Sequence, residues 1–300
     1  MIGAVWRQHR GQALLAVIAV LALCLLTFIY GLSAEHWMTG YSRWLGQLSA
    51  AGCPPPDAHS GVFHVRSAAT CSALKDRYPG GLQPSFGDRF HAAILLSQYG
   101  LTIAFALIGS LIGAPLVARE IEQRSHLAAW TQSVSRRRWY ITKTVALASG
   151  LMVLGLVAGL ANGWLQRRLV SGDITSSRWS WFSSIDLALA GEALLAFALG
   201  VALGAFLRRT LPALGASLAV FTLLLLGARW AVLALTPTSS GSASTAPPGS
   251  WILDPGTASA VAYHPASQYA ALQTVLLLVL IVVAGAVLLS GWRATRDGAV

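Results

Sequence analysis

Apolar residues gather along this chain into six blocks, at about 12–33, 92–118, 144–164, 187–207, 211–235 and 272–292, separated by polar stretches of unequal length. About twenty residues at a 1.5 Å rise cross the hydrocarbon layer of a bilayer, so each block predicts a membrane-spanning helix. Pro115 interrupts the second block, which a span tolerates when neighbouring helices satisfy the freed carbonyl. Trp6, Arg7, His9 and Arg10 precede the first block, which is longer than most signal-peptide apolar regions and is read as a retained span. A cleavable signal ending near Ala34 is the competing reading, because small residues sit there. The polar stretches predict outer loops at 34–91, 165–186 and 236–271 and a cytoplasmic loop at 119–143. The expected fold is therefore an all-α integral membrane protein, one transmembrane domain over 1–300, with six transmembrane helices.

Composition agrees: 55% of the residues are hydrophobic and 11% charged, against about a quarter charged in soluble chains. The net charge of +10 does not predict a nucleic-acid partner, since no soluble basic domain exists to present a binding surface. Its distribution reads as topology. Arg7, Arg10, Arg119, Arg124, Arg136, Arg137, Arg138, Lys143, Arg208, Arg209, Arg293 and Arg296 all fall on one side if the spans alternate, whereas 236–269 has no Lys or Arg. Positive charge collects in cytoplasmic loops, which places both termini in the cytoplasm (N-in/C-in).

In the first outer loop, Cys53 and Cys71 lie where oxidation is possible and are candidates for a disulfide worth about 3 kcal/mol. A metal site adding His59 and His64 is the alternative, although the spacing matches no zinc pattern. Cys24, inside the first span, reads as a small packing residue. Residues 237–250 are rich in Pro, Ser and Gly and predict a flexible loop. The stretch after it, with Trp251, Ile252, Tyr263 and Tyr269, predicts an interfacial or re-entrant segment, and Trp179, Trp181 and Phe182 predict an interfacial belt.

Ionisable groups inside spans are expensive and usually paired or functional. Glu192 and Arg229 lie at similar depth below the outer boundary and are expected to pair or to line a path, with Asn162 near the same level. The competing reading has Arg229 snorkelling outward and Glu192 hydrated. Gly109 and Gly113, Gly155, Gly159 and Gly163, and Gly200 and Gly204 recur at four-residue spacing, which lets helix backbones approach closely within the chain or across a dimer.

The most informative segment is 119–143, REIEQRSHLAAWTQSVSRRRWYITK. Its first half has helical pairing between Glu120 and Arg124 and apolar area from Ile121, Leu127, Ala128 and Trp130, as suits a helix lying on another protein. Its second half gathers Arg136, Arg137, Arg138 and Trp139 where they can meet phosphates, or where they simply set topology and snorkel.

The longer run GAPLVAREIEQRSHLAAWTQSVSRRRWYITK, 113–143, resembles the cytoplasmic signature of permease subunits of type-2 ABC exporters from high-GC Gram-positive bacteria, and YHPASQY, 263–269, is similar to an element before that family's last span. The resemblance implies a type-2 ABC exporter permease-like bundle in the plasma (inner) membrane. It implies a second permease subunit, identical or a paralogue, and two copies of an ABC ATPase subunit docked beneath. The 119–143 loop would then be the coupling helix. Arg119, Glu120, Glu122 and Trp130 would face or brace the ATPase; Thr131, Gln132 and Ser133 would turn the chain; Arg137, Arg138 and Trp139 would anchor it. ATP and magnesium would be bound by the partner ATPase and no cofactor by this chain. A phosphate-cradling loop needs Gly-x-x-x-x-Gly-Lys-Ser/Thr, and neither Lys75 nor Lys143 has that context.

No enzyme constellation is evident, because the histidines are scattered and no HExxH or paired acidic motif occupies a span. A membrane sensor or structural membrane protein remains the alternative to a permease. Apolar path walls with few charges suit an amphiphilic substrate.

Overall fold

The computed structural model describes residues 2–53, 68–76, 82–123, 135–170, 186–235, 239–241, 251–254, 261–264 and 266–297. Among these, six helices are long and apolar enough to cross a membrane. The first, α1 (Ile2–Ala50), is followed by a short α2 (Ala68–Lys75). The second span is composite: α3 (Leu82–Leu95) passes through a π-helical turn, Leu96–Gly100, into α4 (Leu101–Glu122). The remaining spans are α5 (Arg136–Val170), α6 (Asp186–Leu207), α7 (Thr210–Leu235) and α8 (Ala266–Asp297).

Two expectations are corrected. The stretch 34–91 is not simply a loop: α1 continues to Ala50, and α2 and most of α3 lie within it. At 49 residues, α1 is roughly 73 Å long at 1.5 Å per residue, more than twice the hydrocarbon thickness of about 30 Å. Nor is the fold wholly α-helical, because the 236–271 stretch holds β1 (Ser239–Gly241), β2 (Trp251–Asp254) and β3 (Val261–His264) in the antiparallel order β1-β3-β2. Ser239 and Ile252 both pair with Tyr263, and the β2–β3 register shifts between Ile252 and Asp254. The pairing satisfies backbone groups that a bare loop would leave to water. Trp179, Trp181, Phe182, His59 and His64 lie outside the described residues.

The fourth span, α6, is the axis of the bundle. Every residue from Ala188 to Ala202 is buried, and α4, α5, α7 and α8 all pack on it. A helix that is apolar all round belongs in the middle of a bundle, and its many Ala and Gly residues let four neighbours come close. A methyl added at Gly113 would lie 2.4 Å from the Phe197 carbonyl oxygen, and one at Gly200 would lie 2.9 Å from the Ala114 nitrogen. On another side of α6, a methyl at Gly155 would lie 2.9 Å from the Ala190 Cα. These small residues thus serve packing within the chain.

Matching contacts rise together along α4 and α6, from Gly109 on Ala196 to Gly204 on Ala114, so these two spans run parallel. The described ends of the chain, Gln123, Ser135 and the α6–α7 turn therefore share one end of the bundle, termed here the loop end. The disulfide region occupies the other, the cap end. On the periphery, Leu15, Ile18, Leu21 and Leu25 of α1, Leu211 and Leu223 of α7 and Val282 and Leu289 of α8 are exposed. An apolar surface of that extent calls for lipid.

Candidate functional site

At the loop end, the last turn of α4 sorts its charges by helical phase. Glu120 lies one turn beyond the buried Leu116 and points inward with it, while Arg119 and Glu122 are exposed. Glu120 forms a buried ion pair with Lys143 of α5. Lys143 sits one turn after Trp139, and its ammonium lies 4.8 Å from the centre of that buried ring. Trp139 is accordingly a core residue, packed with Ile112, Leu116 and Phe197.

Glu122 reaches α7. Its two carboxylate oxygens accept hydrogen bonds from the Thr210 backbone N–H at 2.9 Å and the Thr210 hydroxyl at 3.0 Å. A carboxylate there satisfies an orphan donor at a helix start. It also holds the two-residue turn in which Arg208 takes φ 53°, a backbone region that non-glycine residues seldom occupy. Tyr140 completes the bracing by donating from its hydroxyl to the Leu288 carbonyl at 2.9 Å and lying 5.7 Å from the Trp292 ring. Spans two, three, five and six are thus fastened around the base of the 123–135 segment. Trp130, Thr131, Gln132 and Ser133 lie outside the described residues. Arg137 and Arg138 are exposed on the first turn of α5.

Nearer the cap end, polar side chains link the spans internally. Glu192 is 1% exposed and accepts a hydrogen bond from Thr102 at 3.0 Å. Asn162, fully buried, donates to the Ser97 carbonyl at 2.9 Å, inside the π turn. A π turn disturbs the regular carbonyl pairing of a helix, and an amide from the adjacent span supplies a partner. Gln273 of α8 accepts the Ala188 N–H at 2.9 Å at the start of α6. Asn162 and Glu192 therefore both join span two, one turn apart. Arg229 belongs to α7, but its side chain lies outside the described set.

At the cap end, Cys53 and Cys71 are joined as a disulfide with Cα atoms 5.6 Å apart. The bond fastens α2 to the end of α1, where Tyr41, Trp44 and Leu48 form a small core with the two sulfurs. The Trp44 indole donates to the Leu74 carbonyl at 2.6 Å. Below it, Glu35 pairs with Arg168, whose guanidinium covers the Trp164 ring at 5.3 Å.

Sequence reasoning anticipated neither Lys143 as the partner of Glu120 nor Thr210 as that of Glu122. The available signal was one of only two lysines in the chain, placed just inside a span whose preceding cations are all arginine. Among the described residues, no group of three or more His, Cys, Asp or Glu side chains is placed to hold a metal ion. The arrangement is suited to holding helices and relaying movement between them.

A family model described as ABC-2 membrane transporter related matches residues 57–232, more than half of the chain, from the cap through the fifth span. No curated protein and no solved structure matches.

Proposed function

The chain belongs to the ABC-2 membrane transporter related family, and from that premise we propose that it is the permease of an ATP-driven exporter, with ATP hydrolysed on a separate ATPase subunit. Family and fold make it a multi-pass membrane protein and a transporter component. The finer reading puts the loop end in the cytoplasm, two ATPase copies beneath it and a second permease subunit, identical or a paralogue, alongside. ATP and magnesium are then held by the ATPase and the substrate is amphiphilic.

One observation carries this reading. The two carboxylates of Arg-Glu-Ile-Glu, Glu120 and Glu122, fasten the base of the 123–135 segment to α5 and α7. A segment pushed by a docked motor has to deliver its displacement to several spans, and a cross-braced base does so. Glu120 and Glu122 brace the loop in this scheme, leaving Arg119 and Trp130 as the residues offered to the ATPase.

The test is co-expression of the full chain with each candidate ABC ATPase subunit of its own genome, followed by co-purification and ATPase assays in nanodiscs. Trp130→Ala should release the ATPase while leaving insertion and thermal stability unchanged. Full retention of the ATPase by that variant, or the absence of any co-purifying ATPase, refutes the reading. The latter result favours a membrane sensor, for which the disulfide-bonded cap over α1 and α2 would supply the outer domain.

A further inference from the structure

At the loop end a cavity of about 270 Å³ is lined, among the described residues, by Ser135, Arg137, Arg138, Ile141 and Thr142. Arg137 and Arg138, two of its lining residues, have few carboxylates near them. Glu120 is engaged by Lys143 and Glu122 by Thr210, and the neighbouring 124–134 segment contains no acidic residue at all. Asp297, the one other acid at this end, closes α8 with its side chain outside the described set.

Hydroxyls accompany the cations. Ser135 accepts the Arg138 N–H at 3.3 Å, which leaves its own proton to donate, and Thr142 lies one turn further on. Away from the arginines, α5 continues into the apolar zone with Ile141 and Val145 exposed one turn apart on the same helical face. Cations and hydroxyls at headgroup level, continuous with an apolar strip at acyl level, have the polarity profile of a phospholipid.

We propose that this cavity is a binding site for one anionic phospholipid, with the phosphate held by Arg137 and Arg138 and an acyl chain lying along Ile141 and Val145. Arginine offers two parallel N–H donors to a phosphate, which lysine does not. A bound lipid would sit at the root of α5, on the first turns of the third span. The site does not depend on the exporter reading, and its test needs no ATPase.

The test titrates dioleoylphosphatidylglycerol and dioleoylphosphatidylcholine separately into the full chain in nonionic detergent. Native mass spectrometry reads the first bound lipid. The wild type should prefer phosphatidylglycerol. R137Q/R138Q should weaken that binding roughly 30-fold, from about 1 kcal/mol per arginine at 1.4 kcal/mol per decade, and R167Q at the cap end should not change it.

R137K/R138K keeps the charge and the insertion signal and carries the test if the glutamine variant does not fold. It should lose a smaller part of the preference, a few-fold, because ammonium groups keep the charge but cannot make the forked contact. Wild-type binding by either double variant, or equal binding of the two lipids by the wild type, overturns the site. Inorganic phosphate at millimolar concentration should fail to displace phosphatidylglycerol; displacement would reassign the cavity to a free anion and overturn the lipid assignment.

Discussion

Removing one partner from the Glu120–Lys143 pair should do more harm than removing both. Both side chains are about nine-tenths buried, at 9% and 10% exposure. Glu120→Gln therefore leaves a buried ammonium facing a neutral amide, with the Trp139 face as its remaining cation partner at 4.8 Å. An uncompensated buried charge costs about 3 to 5 kcal/mol, whereas a matched apolar pair in the same space is often neutral. Lys143 lies just inside its span, where its long stem lets the head move toward water, so the lower end applies and about 3 kcal/mol is expected for E120Q. K143M, which takes the ammonium away from the buried carboxylate, should also destabilise the chain. E120L/K143M should return to within about 1 kcal/mol of wild type, giving a coupling energy of several kcal/mol in the double-mutant cycle. At roughly 2 to 4 °C per kcal/mol, E120Q should melt roughly 6 to 12 °C lower by fluorescence-detected size exclusion in detergent. Single variants that melt with the wild type, or a double variant that melts at the sum of the two losses, would show that the pair is solvated and the bracing argument wrong.

Other changes probe separate contacts. Gly113→Val should splay α4 from α6, since even a methyl would lie 2.4 Å from the Phe197 carbonyl oxygen; a loss above about 3 kcal/mol is expected, and wild-type yield and melting would refute the close seam. Cys53→Ser with Cys71→Ser should lower cap stability by about 3 kcal/mol and speed proteolysis of the α1 extension, while the wild type under reductant behaves alike; unchanged proteolysis would mean the aromatic core alone holds the cap. Asn162→Leu withdraws the amide from the Ser97 carbonyl and should cost about 0.6 kcal/mol, the average for hydrogen bonds between spans, and at most about 1.7 kcal/mol. Amide hydrogen exchange at Leu96–Gly100 should rise in that variant, and unaltered exchange would count against the contact.

Much of the organisation was legible in the chain itself. The apolar blocks match six membrane-crossing helices because crossing is a local property, set by block length against bilayer thickness. The expectation of a cystine from Cys53 and Cys71 is matched by their placement. Less legible was the stretch 34–91, where helical residues continue α1 to Ala50 under a polar composition that reads as loop. The strands of 236–271 were missed because each is only three or four residues long, too short to show an alternating pattern.

Residue content by itself determined that this chain lives in lipid, which blocks are long and apolar enough to cross it, and which segment between spans two and three is distinctive. Tertiary structure alone decided that α6 occupies the centre, that Glu120 turns inward to Lys143 while Glu122 reaches Thr210, and that Asn162 meets the π turn. The physical reason is that lipid and protein interior are about equally apolar, so the hydrophobic pattern of a span does not reveal which face meets a neighbour. Small residues hint at close approach. The partner of each buried polar group appears only once the helices are packed.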